Sequence, residues 1–117
     1  SLCLLDVDHF KQVNDRHGHH AGDDVLMSLG RLLRRRFRVE DLRGRWGGEE
    51  FIIAFKHEEK NLVKLALARI MEELKKHEFQ GENGENFHVT FSAGLSSFPD
   101  EGSSLQELVK LADRRLY

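Results

Sequence analysis

The chain predicts an α+β fold: a ferredoxin-like β-α-β-β-α-β core (nucleotide-cyclase-like), with a mainly antiparallel sheet and helices packed around it. Three observations predict it. Apolar residues switch between strand and helix periods in the order strand, interrupted helix, strand, strand, helix, strand, helix. Gly47 and Gly48 separate two short extended runs, as in a tight hairpin. The 117 residues suffice for one domain with its own core and are too few for two. Such a core places its crossover helices on one face and sets the first strand beside the central hairpin.

Ser1 to Val7 is a short apolar run ending in acids, Asp6 and Asp8, which fits a buried strand with its carboxyl end charged. One or two helical turns follow at residues 9–14, with Phe10, Val13 and the stem of Lys11 directed inward. Residues 14–22 read as a polar loop containing His17, His19 and His20. A long amphipathic helix is expected from Asp23, with Val25, Leu26, Leu29, Leu32, Leu33 and Phe37 at helical spacing. Asp23 and Asp24 suit its amino end, and Arg31, Arg34, Arg35, Arg36 and Arg38 favour its carboxyl half; the run from Arg34 reads as a solvated face except for Arg38, which with Asp41 could take a phosphate and a base edge together.

Trp46 closes one extended run and residues 51–55 make the next. The glycine pair supplies positive φ and lets a ligand approach the backbone beside Glu49 and Glu50. Adjacent strand residues face opposite ways, so one glutamate serves a given site. A second helix is expected over 59–76, with Leu62, Val63, Ala66, Leu67, Ile70 and Leu74 inward. Phe79 opens a short strand, 81–84 is a turn, and 87–95 alternates as one half-buried strand. Ser104 and Glu107 have capping-box spacing and start a last helix through Leu105, Leu108, Val109, Ala112 and Leu116.

A net charge of −2 gives no electrostatic case for nucleic acid or an anionic membrane. One cysteine, Cys3, forms no internal disulfide and points to a reducing, cytoplasmic setting; no run has the length of a membrane span. The histidines lack the distant pair of a zinc site, and no Walker loop or Gly-x-Gly-x-x-Gly is present. If the first strand ends beside the hairpin, Asp6 meets Glu49 or Glu50. Crowded carboxylates either take up protons or hold a hard cation such as Mg²⁺ or Ca²⁺.

These residues resemble the GGDEF domain of bacterial diguanylate cyclases. The likeness runs through residues 5–15, Gly18-His19, Gly22-Asp23, Arg45-Trp46-Gly47-Gly48-Glu49-Glu50-Phe51, Val89-Thr90-Phe91-Ser92-Ala93-Gly94 and Ala112-Asp113-Arg114-Arg115-Leu116-Tyr117. Residues 1–117 are then one catalytic domain, short at both ends relative to the family. Its phosphate-binding Lys and Arg follow the position of Tyr117. The resemblance implies condensation of two GTP into cyclic di-GMP plus pyrophosphate, each 3′-hydroxyl attacking the other nucleotide's α-phosphate, at a site shared by a homodimer. It implies Mg²⁺, with Mn²⁺ as the alternative ion, on the side chains of Asp6 and Glu49 and the carbonyl of Val7. Glu49 is the candidate base, with Glu50 beside it. Asn14 and Asp23 read guanine, His19 lines that pocket, Gly47 and Gly48 seat the nucleotide, and backbone N–H groups of Phe10 and Lys11 meet phosphates. Arg38 and Asp41 form an Arg-x-x-Asp product-inhibition site, with Arg69 as a second arginine. An attached sensory or regulatory domain, and no direct membrane contact, are also implied. The rival reading is a domain without turnover that serves as a cyclic di-GMP or GTP receptor.

Overall fold

The computed structural model describes residues 1–37, 42–45, 48–56 and 59–116. Strand β1 (Leu2–Val7) is followed by helices α1 (Phe10–His17) and α2 (His19–Arg36), then strands β2 (Leu42–Arg45) and β3 (Glu50–Ala54). Helix α3 (Lys60–Lys76), the short strands β4 (Phe79–Gln80) and β5 (Asn86–Phe87), strand β6 (Phe91–Ser96) and helix α4 (Leu105–Leu116) complete the chain.

Every residue of β1 is buried, because it is central in a four-stranded sheet of order β2-β3-β1-β6 and is covered on both faces. All three pairings are antiparallel. This is the strand order of the ferredoxin-like core, and it sets β1 beside β3 as the sequence predicts. Alternation along β1 divides the interior. Cys3, Leu5 and Val7 join Val25 and Leu29 of α2, Ile70 and Leu74 of α3, and Ile53 and Phe91 from the flanking strands in the main core. Leu4 packs with Ala112 and Leu116 of α4 in a second cluster. Thus α2 and α3 cover one face, as the core requires, and α4 takes the other, which that six-element pattern does not specify.

The last helix seats unusually close to its strand. A Cβ at Gly94 would overlap the Ala112 carbonyl oxygen and stand 2.9 Å from Leu116 N, so only glycine lets β6 and α4 touch backbone to backbone. Ser96, fully buried, donates its hydroxyl to Leu108 O at 2.8 Å across the same contact. The expected cap of α4 is present: the Glu107 N–H donates to Ser104 Oγ at 3.2 Å, while the Glu107 carboxylate reaches one residue further back, to Ser103 N at 2.8 Å.

Several expectations are corrected. Residues 14–22 are not a loop: α1 runs to His17, Gly18 alone forms the break with φ 94°, and α2 starts at His19. Polarity misled there, because a two-helix corner with exposed outer faces has a loop's composition. The strand expected over 87–95 is broken after β5 and resumes at Phe91. Lys11 is exposed, as are Leu62 at 52% and Leu105 at 61%: the first two stand outside their helices' buried stripes, and Leu105 is the first residue of α4. Gly48 is not in the left-handed region, which among the described glycines holds only Gly18 and Gly84. Trp46 and Gly47 lie outside the described residues. No described helix is long and apolar enough to cross a membrane.

Candidate active site

The register decides which acids meet. Asp6 stands opposite Glu50 in the β1–β3 pairing, and the Val7 N–H points to Glu49 O at 3.5 Å. The carboxyl end of β1 and the amino end of β3 are therefore one place. Asp6 is buried, with 9% of its surface exposed, and Glu49 and Glu50 are half-buried. Burial pushes the Glu50 carboxyl above its ordinary value, and the charges of Asp6, Asp113 and Glu49 push it further the same way. The charges of three acids thus bear on Glu50 at one end of the sheet, the electrostatic condition that a bound cation relieves.

Asp8, one residue past the strand, is committed elsewhere. Its two carboxylate oxygens accept hydroxyl hydrogens from Thr90 and Ser92, each at 2.6 Å, and its N–H donates to Thr90 O at 2.9 Å. Asp6 and Asp8, equivalent in the sequence pattern, have separate duties: one faces the acid cluster, the other fastens β1 to β6.

The set suits a divalent ion that shares its shell with a ligand. Among the described residues no group of three or more His, Cys, Asp or Glu side chains is arranged to hold a metal. Two carboxylates and a carbonyl leave half of an octahedral shell to water and phosphate oxygens, which is how Mg²⁺ is commonly held beside nucleotides. His17 is buried while His19 and His20 are exposed, so the histidine run does not converge on zinc.

The other predicted contacts gather at the α1–α2 corner. Phe10 and Asn14, four apart on α1, both face the first turn of α2. A Cβ at Gly22 would overlap Asn14 Oδ1 and stand 3.2 Å from Phe10 Cζ. Gly22 is thus the space that Asn14 occupies, next to Asp23. Asp23 is exposed and borders a cavity of about 610 Å³ shared with Leu26, Met27, Gly44 and Phe51. His19 is exposed one turn earlier. The N–H groups of Phe10 and Lys11 stand in the first turn of α1, where helix geometry gives them no internal acceptor. Gly48 opens on free space, a Cβ there meeting nothing within 4 Å. Arg69 is exposed on α3; Arg38, Asp41 and Gly47 lie outside the described residues. Sequence reasoning missed Asp113, Thr90, Ser92 and Gly22 as site-shaping residues. The Thr-x-Ser alternation at 90–92 was the available signal for the Asp8 clasp; for Asp113 it was membership of the 112–117 run, which does not say that its charge bears on Glu50.

Residues 1–117 match the family model described as "Diguanylate cyclase, GGDEF domain". The chain belongs to the GGDEF domain family. Diguanylate cyclase A of Treponema denticola is 32% identical over 117 residues, covering 100% of this chain and 31% of that protein. The GGDEF domain of DgcB from Caulobacter crescentus, solved in complex with c-di-GMP, superposes with a TM-score of 0.89 at 32% identity, over 99% of this chain and 68% of that one. The active GGEEF domain of a diguanylate cyclase from Vibrio cholerae gives 0.87 at 31% identity, over 99% and 72%. It shares this chain's Gly-Gly-Glu-Glu-Phe signature, residues 47–51. The chain spans a third or less of the curated relatives' length.

Proposed function

We propose that this GGDEF domain is a diguanylate cyclase that, as a facing pair, condenses two GTP into cyclic di-GMP. Each 3′-hydroxyl attacks the α-phosphorus of the other nucleotide; the bond to the bridging oxygen breaks and pyrophosphate leaves, twice per turnover. The observation that carries this reading is the pairing of Asp6 with Glu50 and of Val7 with Glu49 at one sheet end, where acid charge accumulates.

Asp6, Glu49 and the Val7 carbonyl would hold Mg²⁺, or Mn²⁺ in its place. When bound, the ion supplies charge that polarises phosphate oxygens and acidifies the attacking hydroxyl. Glu49 accepts the proton from that hydroxyl, and Glu50 sets the local potential. The amide groups that open α1, at Phe10 and Lys11, receive phosphate oxygens. Asn14 and Asp23 read the guanine edge, Asp23 accepting from the N1–H and the exocyclic amine; adenine presents neither pattern there. His19 borders the base, and the open backbone at Gly47 and Gly48 admits the nucleotide. One copy carries one GTP, so a single domain is half a site. Product returns to Arg38, Asp41 and Arg69 and restrains the pair, a coupling between two sites. The relative solved with c-di-GMP supports that part of the reading. Attached regulatory domains fit the fraction of the relatives that this chain spans.

The test is turnover by the intact protein, or by this domain held as a dimer, with GTP and Mg²⁺, read as pyrophosphate release and cyclic di-GMP formation. Glu49→Ala is expected to abolish both. An intact protein that never releases pyrophosphate, yet binds cyclic di-GMP and loses that binding on Arg38→Ala, overturns the enzyme in favour of a receptor.

A further inference from the structure

The small β4–β5 hairpin stands apart from the main sheet and carries none of the residues assigned above. Its grip on the molecule is nevertheless specific. The Glu82 N–H donates to His17 O at 2.8 Å, and Asn83 Nδ2 donates to Arg16 O at 3.2 Å. Those carbonyls end α1, where the helix has no acceptors' partners of its own. The His17 ring, buried, stacks on Phe87 at 4.0 Å with the planes 8° apart, and Phe87 in turn lies 5.6 Å from Phe79. Arg16 pairs with Glu85 at 3.4 Å. The bonds and the ring stack converge on the last turn of α1 and the single residue, Gly18, that joins it to α2.

That junction is closely packed. Gly18 holds φ 94°, and a Cβ on it would overlap Glu82 Oε2 and stand 2.8 Å from Glu82 Cγ. On the other side, a Cβ on Gly81 would come within 2.8 Å of His17 Nδ1 and 2.9 Å of His17 Cβ. Hairpin and helix corner therefore meet at two glycines: the Glu82 side chain lies over Gly18, and the Gly81 backbone lies against the His17 side chain. One turn upstream of the junction is Asn14, whose carbonyl accepts the Gly18 N–H at 2.9 Å, and just beyond it are Gly22 and Asp23. The gripped turn belongs to the helix that carries Asn14, and one residue, Gly18, separates it from the helix that carries Asp23.

We propose that the β4–β5 hairpin is a positioning device for base recognition: through Gly81, Glu82 and Asn83 it fixes the angle between α1 and α2, and so the placement of Asn14 against Asp23. This rests on the reading of the corner as the guanine site. A hydrogen-bonding pair reads a base edge only when held within a fraction of an ångström of its bonding geometry. Moving the corner weakens binding and selectivity while leaving the acid cluster, on the sheet, undisturbed.

The experiment compares the wild-type protein with Gly81→Ala, which drives a methyl against Asn83 Oδ1 and the His17 side chain, and Asn83→Ala, which deletes the exposed bonds to Arg16 O and from the Glu85 N–H. Glu78→Ala, exposed at the foot of the same hairpin, is the control. The readings are the Kd of a non-hydrolysable GTP analogue, KM and kcat for GTP, the GTP-to-ITP preference and Tm. Gly81→Ala is expected to raise Kd and KM about tenfold and Asn83→Ala about threefold, roughly one hydrogen bond's worth or less. In both, kcat stays within about twofold and the preference over ITP falls, whereas a loss of stability alone would leave that preference unchanged. If Gly81→Ala does not fold, Asn83→Ala decides. Unchanged affinity and preference in the folded variants, with wild-type binding intact, overturn the hairpin's role alone. A wild-type protein that binds no guanine nucleotide overturns the parent reading and this inference with it.

Discussion

Replacing Gly22 by alanine separates recognition from stability. The new Cβ would overlap Asn14 Oδ1, 3.0 Å from its Cγ and 3.2 Å from Phe10 Cζ. An amide oxygen at ordinary contact must retreat by about 1 Å or more, which a rotation of the Asn14 side chain supplies cheaply because no backbone atom is in the way. The fold therefore loses little. Alanine in a helix interior gains about 1 kcal/mol over glycine and less in a first turn such as this one, and the small displacement of the Phe10 ring offsets part of it. At about 4 °C per kcal/mol for a chain of this size, Tm stays within a few degrees of wild type or rises. On the proposed reading of the α1–α2 corner, the base site loses more. An Asn14 turned from the guanine edge forfeits a hydrogen bond and leaves a polar group badly placed, about 1–2 kcal/mol, or about 5- to 30-fold in affinity. Thermal melting and calorimetric titration with a GTP analogue on the same preparation test both halves. A folded Gly22→Ala protein with wild-type nucleotide affinity refutes the reasoning; so does a Tm lowered by more than about 10 °C, which would mean that the methyl meets something rigid.

Gly94→Ala should do the opposite, since its Cβ meets the backbone of α4 and not a mobile side chain; we expect about 3 kcal/mol of destabilisation and a Tm lower by about 10 °C, measured by circular dichroism. Glu101 joins Lys60, Arg115 and the Ser97 N–H, and the bonds to Arg115 and Lys60 hold its carboxyl down at about 2 from an ordinary 4.5. A depressed pKa means that the stabilisation is present above 4.5 and lost as pH falls towards 2. Glu101→Gln should therefore lower Tm by a few degrees at neutral pH, with the gap to wild type closing across that window. Cys3 is fully buried and burial pushes its thiol up to about 12, so at pH 8 about one molecule in 10⁴ carries a thiolate; thiol reagents should label it only at the rate of unfolding.

Much of this molecule was legible in the chain, for identifiable reasons. Strand β1 announced itself because burial on both faces leaves an unbroken apolar run, and α2 and α3 because each carries a stripe at a period of 3.6. The pairing of Asp6 with the glutamates followed from topology, once the strand order was inferred. The corner at 9–22 was not legible. Its outer surfaces are so polar that His17, buried against Phe87, looks no different from its exposed neighbours His19 and His20. The role of Gly22 also lies beyond sequence patterns, because the reason for it is a side chain on another helix. The separate duties of Asp6 and Asp8 depend on which strand's hydroxyls arrive alongside, a fact of register.

Strand termini ordinarily fray, and a ligand that binds to one must first still it. The end of β1 is stilled already: Val7 is tied to β3 on one flank and Asp8 is clasped by backbone and two hydroxyls on the other. Of the entropy that ordering a residue costs, about 1–2 kcal/mol for its backbone, folding has settled this share in advance. On the proposed reading, an incoming nucleotide finds its anchoring point ordered before it arrives, and the free energy of its association is left for recognising the base and aligning the phosphate.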